Sequence, residues 1–264
     1  MDNIDIFITA FKPFKEYVTN KIYKVVGVKD FKYEGTLESF NDNVGINISN
    51  MNHFFNELSV FYWVWKNYPM KEYIGMCSYR RYFNFLDDFT NVKKYIDKYE
   101  IILPTILSLK DKTNIEQYNK CHNIDDLNLI LDIIVDLYPE YKDDVVSFSE
   151  CNTLYTNNMF IMKKEDFIKY CEFLFNVLNE YLRIMKFDNI EHIFEYVEKH
   201  KLLFENKTNK ISKDLNYQAR IGGFLAERIF TIYVKHNFKK VLEVPIYFTE
   251  QKVVKNIYNK LKKR

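Results

Sequence analysis

The sequence predicts an α/β fold in which helices flank a mostly parallel central sheet. Short apolar runs of strand length alternate along the chain with longer stretches of helical period, the pattern of strand–helix–strand units. A chain of 264 residues that is 47% hydrophobic can bury one large core. The apolar run Tyr73-Ile-Gly-Met-Cys77 stops abruptly at Ser78-Tyr79-Arg80-Arg81, and in open α/β sheets the carboxyl ends of strands are where ligands are met.

In chain order, Ile4–Thr9 reads as the first strand, ended by the turn at Lys12-Pro13, and Ile22–Val26 as a second. Residues 29–51 are polar and rich in Asn, Asp and Gly, a long ordered loop of the kind that carries function. A helix over Asn52–Asn67 stops before Pro69 and leads into the Tyr73–Cys77 strand. Asn91–Tyr99 suggests a short helix and Glu100–Pro104 a third core strand. Beyond a loop, Asn123 caps a helix over Ile124–Leu137, Leu154–Met162 forms a strand, and Glu165–Ile184 a long amphipathic helix. Residues 188–214 read as a helical insertion with a surface excursion, Gln218–His236 as the last strong helix, and Val241–Tyr247 as a final strand. One domain over residues 1–250 and a basic amphipathic tail over 251–264 account for the chain.

Composition excludes several classes. Lys+Arg 38 against Asp+Glu 36 leaves a net charge of +2, too balanced for a nucleic-acid binder that works by its overall field. Six Gly and 17% aromatic residues exclude a disordered chain. The cysteines, Cys77, Cys121, Cys151 and Cys171, show no paired spacing, and Met1–Asp5 opens no leader peptide, so a reducing cytoplasm is expected. No apolar run approaches the roughly 20 residues that span a bilayer.

Arginine at a strand end points to a phosphate or carboxylate ligand, because its planar fork is always charged and donates in pairs. If the segment stays extended, Arg80 and Arg81 face opposite sides and do different jobs. Two helices carry polar groups out of place. Glu57 falls inside the apolar arc of Phe54, Leu58, Phe61, Val64 and Trp65, so it is either ion-paired with Arg80 or Arg81 or acts directly in binding or proton transfer. On the last helix Arg220, Gly223 and Glu227 share an edge, where Glu227 is expected to pair with Arg220 or another arginine. Gly222 and Gly223 each cost a helix roughly 1 kcal/mol, so a ligand or a neighbouring element must come close there.

Together these segments resemble a family of bacterial glycosyltransferases that build capsular and exopolysaccharide repeat units, catalogued as a domain of unknown function. The resemblance runs through Thr9-Ala-Phe-Lys-Pro-Phe14, Asp42-Asn-Val-Gly-Ile-Asn-Ile-Ser49, Asn52, Glu57 to Asn67, Tyr73-Ile-Gly75, Tyr79-Arg-Arg-Tyr-Phe83, Ile102-Leu-Pro104, Asn158-Met-Phe-Ile-Met162 and Gln218-Ala-Arg220 with Gly223 to Arg228. The chain departs from it at Ser78 and Phe11, where the family has histidine, and at Ile46, where it has aspartate.

The resemblance implies a GT-A-like nucleotide-binding domain with a helical C-terminal part. It implies transfer of a hexose, galactofuranose or galactose, from a UDP-sugar to an oligosaccharide or lipid-linked saccharide, at the cytoplasmic face of the membrane. Such chemistry needs a base for the acceptor hydroxyl and positive charge for the departing diphosphate. Arg80 or Arg81, helped by Lys12 and Arg220, would meet the diphosphate, Thr9, Ala10 and Phe11 the uridine, and Asn158 sugar hydroxyls. Phe11 reads equally well as core, and Asn158 as a strand-entry turn.

For the base the candidates are Glu57, Glu227 and His122, the last in a polar loop where a histidine is more often solvated. No Asp-x-Asp metal motif stands out: Asp87-Asp88 has the wrong spacing, Asp125-Asp126 starts a helix, and Asp42-Asn43 is weak, so manganese or magnesium is left open. The lysine-rich tail would suit an anionic membrane surface, and equally a solvated terminal helix. A second reading is a nucleotide-sugar-binding protein that kept the fold and lost turnover.

Overall fold

The computed structural model describes residues 3–90 and 92–249. The first half comprises β1 (Ile4–Ala10), β2 (Tyr23–Gly27), β3 (Glu38–Asn41), α1 (Asn52–Phe55), α2 (Leu58–Asn67), β4 (Tyr73–Ser78), β5 (Arg81–Phe83), α3 (Val92–Lys98), β6 (Ile101–Pro104) and β7 (Leu107–Ser108). Three helices follow, α4 (Asn114–Cys121), α5 (Ile124–Leu137) and α6 (Lys142–Glu150), then β8 (Thr153–Leu154) and β9 (Phe160–Lys163). The rest is α7 (Lys164–Met185), α8 (Ile190–Lys199), α9 (Lys201–Glu205), α10 (Leu215–Gln218), α11 (Ile221–Asn237), β10 (Val241–Val244) and β11 (Ile246–Phe248).

The main sheet runs β10-β6-β9-β4-β1-β2-β3. All of these strands point the same way except β9, which lies antiparallel between β4 and β6. β1 is buried along its whole length, which explains its near-continuous apolar sequence. Its alternation divides the core: Ile4, Ile6, Ile8 and Ala10 face the layer holding Tyr79, Tyr82 and Phe83, while Phe7 faces the helices α2, α5, α7 and α11. Asp5, on that helix side, is buried with Lys71 Nζ 3.0 Å from Oδ1 and the Tyr68 hydroxyl donating to Oδ2. The order β3-β2-β1-β4 reverses between β1 and β4, and their carboxyl ends form the topological switch point.

Several elements differ from the sequence reading for identifiable reasons. The expected helix Asn52–Asn67 breaks at Asn56, whose backbone adopts φ 52° and ψ −125°, so Glu57 stands at the start of α2 and not inside a helical arc. The final strand is two: Pro245 separates β10, parallel to β6, from β11, antiparallel to β5. The expected strand Leu154–Met162 is split between β8 and β9 around the left-handed residues Asn157 and Asn158. Two loop regions hold regular structure, β3 within residues 29–51 and α4 before His122. The helices of residues 190–205 place Ile193, Val197 and Phe204 in the core. The expected tail, 251–264, lies outside the described residues. No helix among the described residues is long and apolar enough to cross a membrane.

Candidate active site

β1 and β4 end side by side, with Thr9 opposite Ser78 in the parallel register and the Tyr79 N–H donating to the Thr9 carbonyl at 3.1 Å. The chain does not stay extended beyond Ser78. It turns through Tyr79 and Arg80 and returns as β5, with Arg81 opposite Ser78. The turn corrects the extended geometry expected for the two arginines, and it still separates them. Arg80 lies over the Tyr79 ring, 5.7 Å from its centroid, while Arg81 lies over Phe248 at 5.1 Å and within electrostatic reach of Glu227.

On the side of Tyr79, Phe11 is 55% exposed, so it is no core residue; its ring meets Tyr79 edge-on at 5.1 Å. Lys12 Nζ stands 5.5 Å from the same ring. An exposed aromatic beside two cations is a surface on which a planar base can stack next to an anion. Ala10 is fully buried and contributes only backbone, its carbonyl accepting from the Val28 N–H.

On the helix side the polar groups converge. Because β9 runs antiparallel with Phe160 opposite Met76, the residues just before it arrive at the carboxyl end of β4. Asn158 is there, 2% exposed, its Nδ2 donating to Glu57 Oε1 at 2.8 Å. The Asn157 N–H donates to Glu227 Oε1 at 2.7 Å, and Glu227 Oε2 accepts from Arg228 at 2.9 Å. Arg228, not Arg220, is thus the ion-pair partner of Glu227, and it also donates to Gln117. Burial pushes the Glu227 carboxyl above the usual range, with Glu57 adding to the rise and Arg228, the Asn157 N–H and Arg81 opposing it.

Arg220 precedes α11 and donates through Nε to Asn56 Oδ1 at 2.6 Å, its guanidinium lying over Tyr217 and Phe224. The glycines of α11 make room for α1 rather than for a ligand: a Cβ on Gly222 would meet the Phe54 ring at 2.5 Å. Asn56, Asn157 and Asn158 all hold positive φ, at 52°, 73° and 48°, and all border the two glutamates. Backbone strain of roughly 1–3 kcal/mol per residue persists only where surroundings fix it, and it gathers at working sites.

Among the described residues, three buried polar atoms in this region have no hydrogen-bond partner: Thr9 Oγ1, Ser78 Oγ and Asn158 Oδ1; Tyr79 Oη, on the other side, is a fourth. Buried polar atoms are nearly always paired, so these atoms take their partners from outside the protein's own groups, from ordered water or from a ligand.

His122 lies elsewhere. It is buried, not solvated, stacked 4.0 Å from Phe224, with Nδ1 bonded to Gln218 Oε1. Burial, reinforced by Arg228, pulls its pKa down to about 3, so the ring is neutral at physiological pH. Four of the carboxylates considered for a metal, those of Asp42, Asp87, Asp88 and Asp126, hold hydrogen bonds within the protein. Asp87 accepts from the backbone N–H groups of Thr19 and Asn20 and from the Thr19 hydroxyl. Asp88 is bonded to Thr90, Asp126 to the hydroxyls of Tyr181 and Tyr196, and the fully buried Asp42 to Ser59 and the Lys29 N–H. Among the described residues no three His, Cys, Asp or Glu side chains lie together as a metal site would need.

The sequence reading missed Asn56, Asn157, Ser59 and Arg228. The asparagines carried a signal, since Asn is the non-glycine residue that best tolerates left-handed backbone.

The family model described as Domain of unknown function (DUF4422) matches residues 5–197, from β1 through α8. The chain belongs to this family. The match takes in Glu57, both arginines and Asn158 of the site, while Arg220 and Glu227 lie beyond it. Among solved structures the chain is similar to the WbbM bifunctional glycosyltransferase in its apo form, with a TM-score of 0.73 and 25% sequence identity. That likeness covers 94% of this chain and 46% of the other, so this DUF4422 protein spans less than half the length of its structural neighbour. No curated protein sequence matches it.

Proposed function

We propose that this protein is a glycosyltransferase that moves a hexose, galactofuranose or galactose, from a UDP-sugar to an oligosaccharide or lipid-linked saccharide during surface-polysaccharide assembly. The observation that carries the reading is the set of orphaned polar atoms, Thr9 Oγ1, Ser78 Oγ and Asn158 Oδ1, at a switch point that also holds two carboxylates and several cations. Hydroxyl-rich sugar supplies the missing partners, and a diphosphate suits the cations. The structural neighbour's own description as a glycosyltransferase supports the same class of reaction.

In this reading uridine stacks on Phe11, and its diphosphate is met by Arg80, Arg81, Lys12 and Arg220. The acceptor oxygen forms a bond to the anomeric carbon as the bond from that carbon to the diphosphate oxygen breaks. UDP leaves with the electron pair, and the hydroxyl proton passes to a carboxylate. Glu57 is the better base: its Oε1 accepts from Asn158, while its Oε2 accepts no hydrogen bond among the described residues and is left to take the hydroxyl proton. Both Glu227 oxygens already accept, from Asn157 and Arg228, so Glu227 holds the Asn157–Asn158 turn in place. His122, buried and neutral against Gln218, serves the packing of α11. Manganese or magnesium belongs in the assay as a variable, and no step is assigned to it.

The test is a thermal-shift panel of nucleotides and UDP-sugars, with and without Mn²⁺, followed by UDP release in the presence of lipid-linked saccharides. Uridine nucleotides should raise Tm, and Glu57→Gln should lower kcat by on the order of 10²-fold or more while leaving UDP binding intact. If no uridine nucleotide stabilises the protein, the reading fails. Binding with no turnover of any UDP-sugar supports the alternative of a binding protein.

A further inference from the structure

A second network of buried polar groups stands behind the site, reaching it from β3. Asp42 follows that strand and is fully buried. Its Oδ1 accepts the Lys29 N–H at 2.6 Å and its Oδ2 the Ser59 hydroxyl at 2.5 Å, while its own N–H donates to the Gly27 carbonyl. Ser59, also fully buried, sits in the first turn of α2, two residues after Glu57. Asn52, from α1, donates through Nδ2 both to Ser59 Oγ at 2.8 Å and to the Asn56 carbonyl at 2.9 Å. The Ser59 N–H points to that carbonyl as well, at 3.3 Å, and Ser59 Oγ lies 3.0 Å from it. Thus the carbonyl of the residue held at φ 52° is approached by donors from both Asn52 and Ser59.

Hydrogen counting shows why Asp42 matters. Ser59 Oγ carries one hydrogen and has two acceptors in reach, Asp42 Oδ2 and the Asn56 carbonyl. With a carboxylate at 42 the hydrogen goes to the shorter, charge-assisted contact, and Asn52 is left to hold the Asn56 carbonyl. With an amide at 42, the position facing Ser59 becomes a donor, Ser59 turns its hydrogen to the Asn56 carbonyl, and the bend is held differently. Glu57 is the next residue along the chain, and its placement beside Asn158 depends on that bend.

We propose that Asp42 is a positioning residue: acting through Ser59 and Asn52 it fixes the strained Asn56 bend and thereby aims the Glu57 carboxylate. Both Asp42 carboxylate oxygens are taken by protein donors, so it acts on the site through them and not on the substrate. The proposal rests on Glu57 being the base of the transfer reaction, and its consequence is that the 10²-fold sensitivity of such reactions to misplacement of about 1 Å is guarded from the far side of α2.

The test is a double-mutant cycle on UDP-sugar turnover in the full chain, with Asp42→Asn and Ser59→Ala as independent entries and Glu57→Gln as the second site. Each single change should lower kcat by on the order of 10-fold with donor KM unchanged, and each should cost nothing further once Glu57→Gln is present. A loss that persists undiminished in the Glu57→Gln background would mean that Asp42 only stabilises the fold, and would overturn the proposal. A second measurement works without turnover: the Asn158 side-chain amide resonance, which reports its bond to Glu57, should shift in both Asp42→Asn and Ser59→Ala. Absence of turnover in the wild type overturns the transfer reading alone; an unmoved Asn158 resonance overturns the positioning role whatever the reaction is.

Discussion

Gly223 packs so closely on Asn56 that a Cβ built on it would lie 2.8 Å from the asparagine's Nδ2, and one turn-face away Gly222 does the same to the buried Phe54 ring at 2.5 Å. The two clashes differ in kind. Phe54 is an immobile core ring, so Gly222→Ala should destabilise by about 1–3 kcal/mol, outweighing the roughly 1 kcal/mol that alanine gains in a helix. The Asn56 amide is the end of a side chain and can move, so Gly223→Ala should change stability by no more than about 0.5 kcal/mol. It should nonetheless reduce turnover, because the amide it displaces is held by Arg220 next to Glu57. Denaturant titration of both variants beside a turnover assay separates the outcomes; equal stability losses would contradict the packing difference.

The hairpin at Tyr79-Arg80 gives the two arginines different electrostatic neighbours. Arg81 holds the Glu227 pKa down by favouring its carboxylate, so Arg81→Ala should raise that pKa further, while Arg80→Ala, on the Tyr79 side, should leave it in place. Carbon-13 NMR of the Glu227 carboxyl reads this directly. Both variants should also weaken UDP binding, since each removes a cation from the proposed diphosphate site.

His122 is expected to stay silent to pH. Its ring is buried against Phe224 with Nδ1 bonded to the Gln218 oxygen, and with a pKa near 3 it remains neutral through the range in which exposed histidines titrate. Its NMR signals should therefore hold constant between pH 5 and 8, in the Nδ1–H form that the Gln218 oxygen requires. Titration near 6.5 would restore it as a candidate acid or base.

Much of this arrangement was legible in the chain. β1, β4 and β6 announce themselves as apolar runs, and the charge after Ser78 marks the end that faces a ligand, because burial on both faces and a switch point leave one-dimensional traces. What was not legible depended on backbone turns. Asn56 reads as one more residue of a periodic helix, yet its left-handed bend converts Glu57 from a buried oddity into a group facing Asn158. The choice of Arg228 over Arg220 as the partner of Glu227 is likewise set by where α11 begins, at Ile221, a boundary that periodicity leaves uncertain by a turn. His122 looked solvated because α4 was read as loop; once that helix packs on α11, the ring has nowhere to go but inward.

The most direct stability test concerns Asp126, which is buried beneath two tyrosine hydroxyls, both donating to Oδ1. Burial pushes its carboxyl up to about 6 from the ordinary 3.8 of an aspartate, the tyrosine bonds only partly opposing the rise. Between those values the folded protein binds more protons than the unfolded chain. The contribution is therefore fully present below about pH 4 and lost as pH rises through about 6. Asp126→Asn keeps an oxygen for both tyrosines and cannot ionise. The unfolding free energy of the wild type minus that of Asp126→Asn should fall as pH rises from 4 to 7.5, by at most about 3 kcal/mol for a shift of this size. His122 contributes the opposite slope in an overlapping window, its depressed pKa removing stability as pH falls below about 6.5, but that term is common to both proteins and cancels in the difference. A difference that does not change with pH would show that Asp126 ionises in the fold as it does in the unfolded chain.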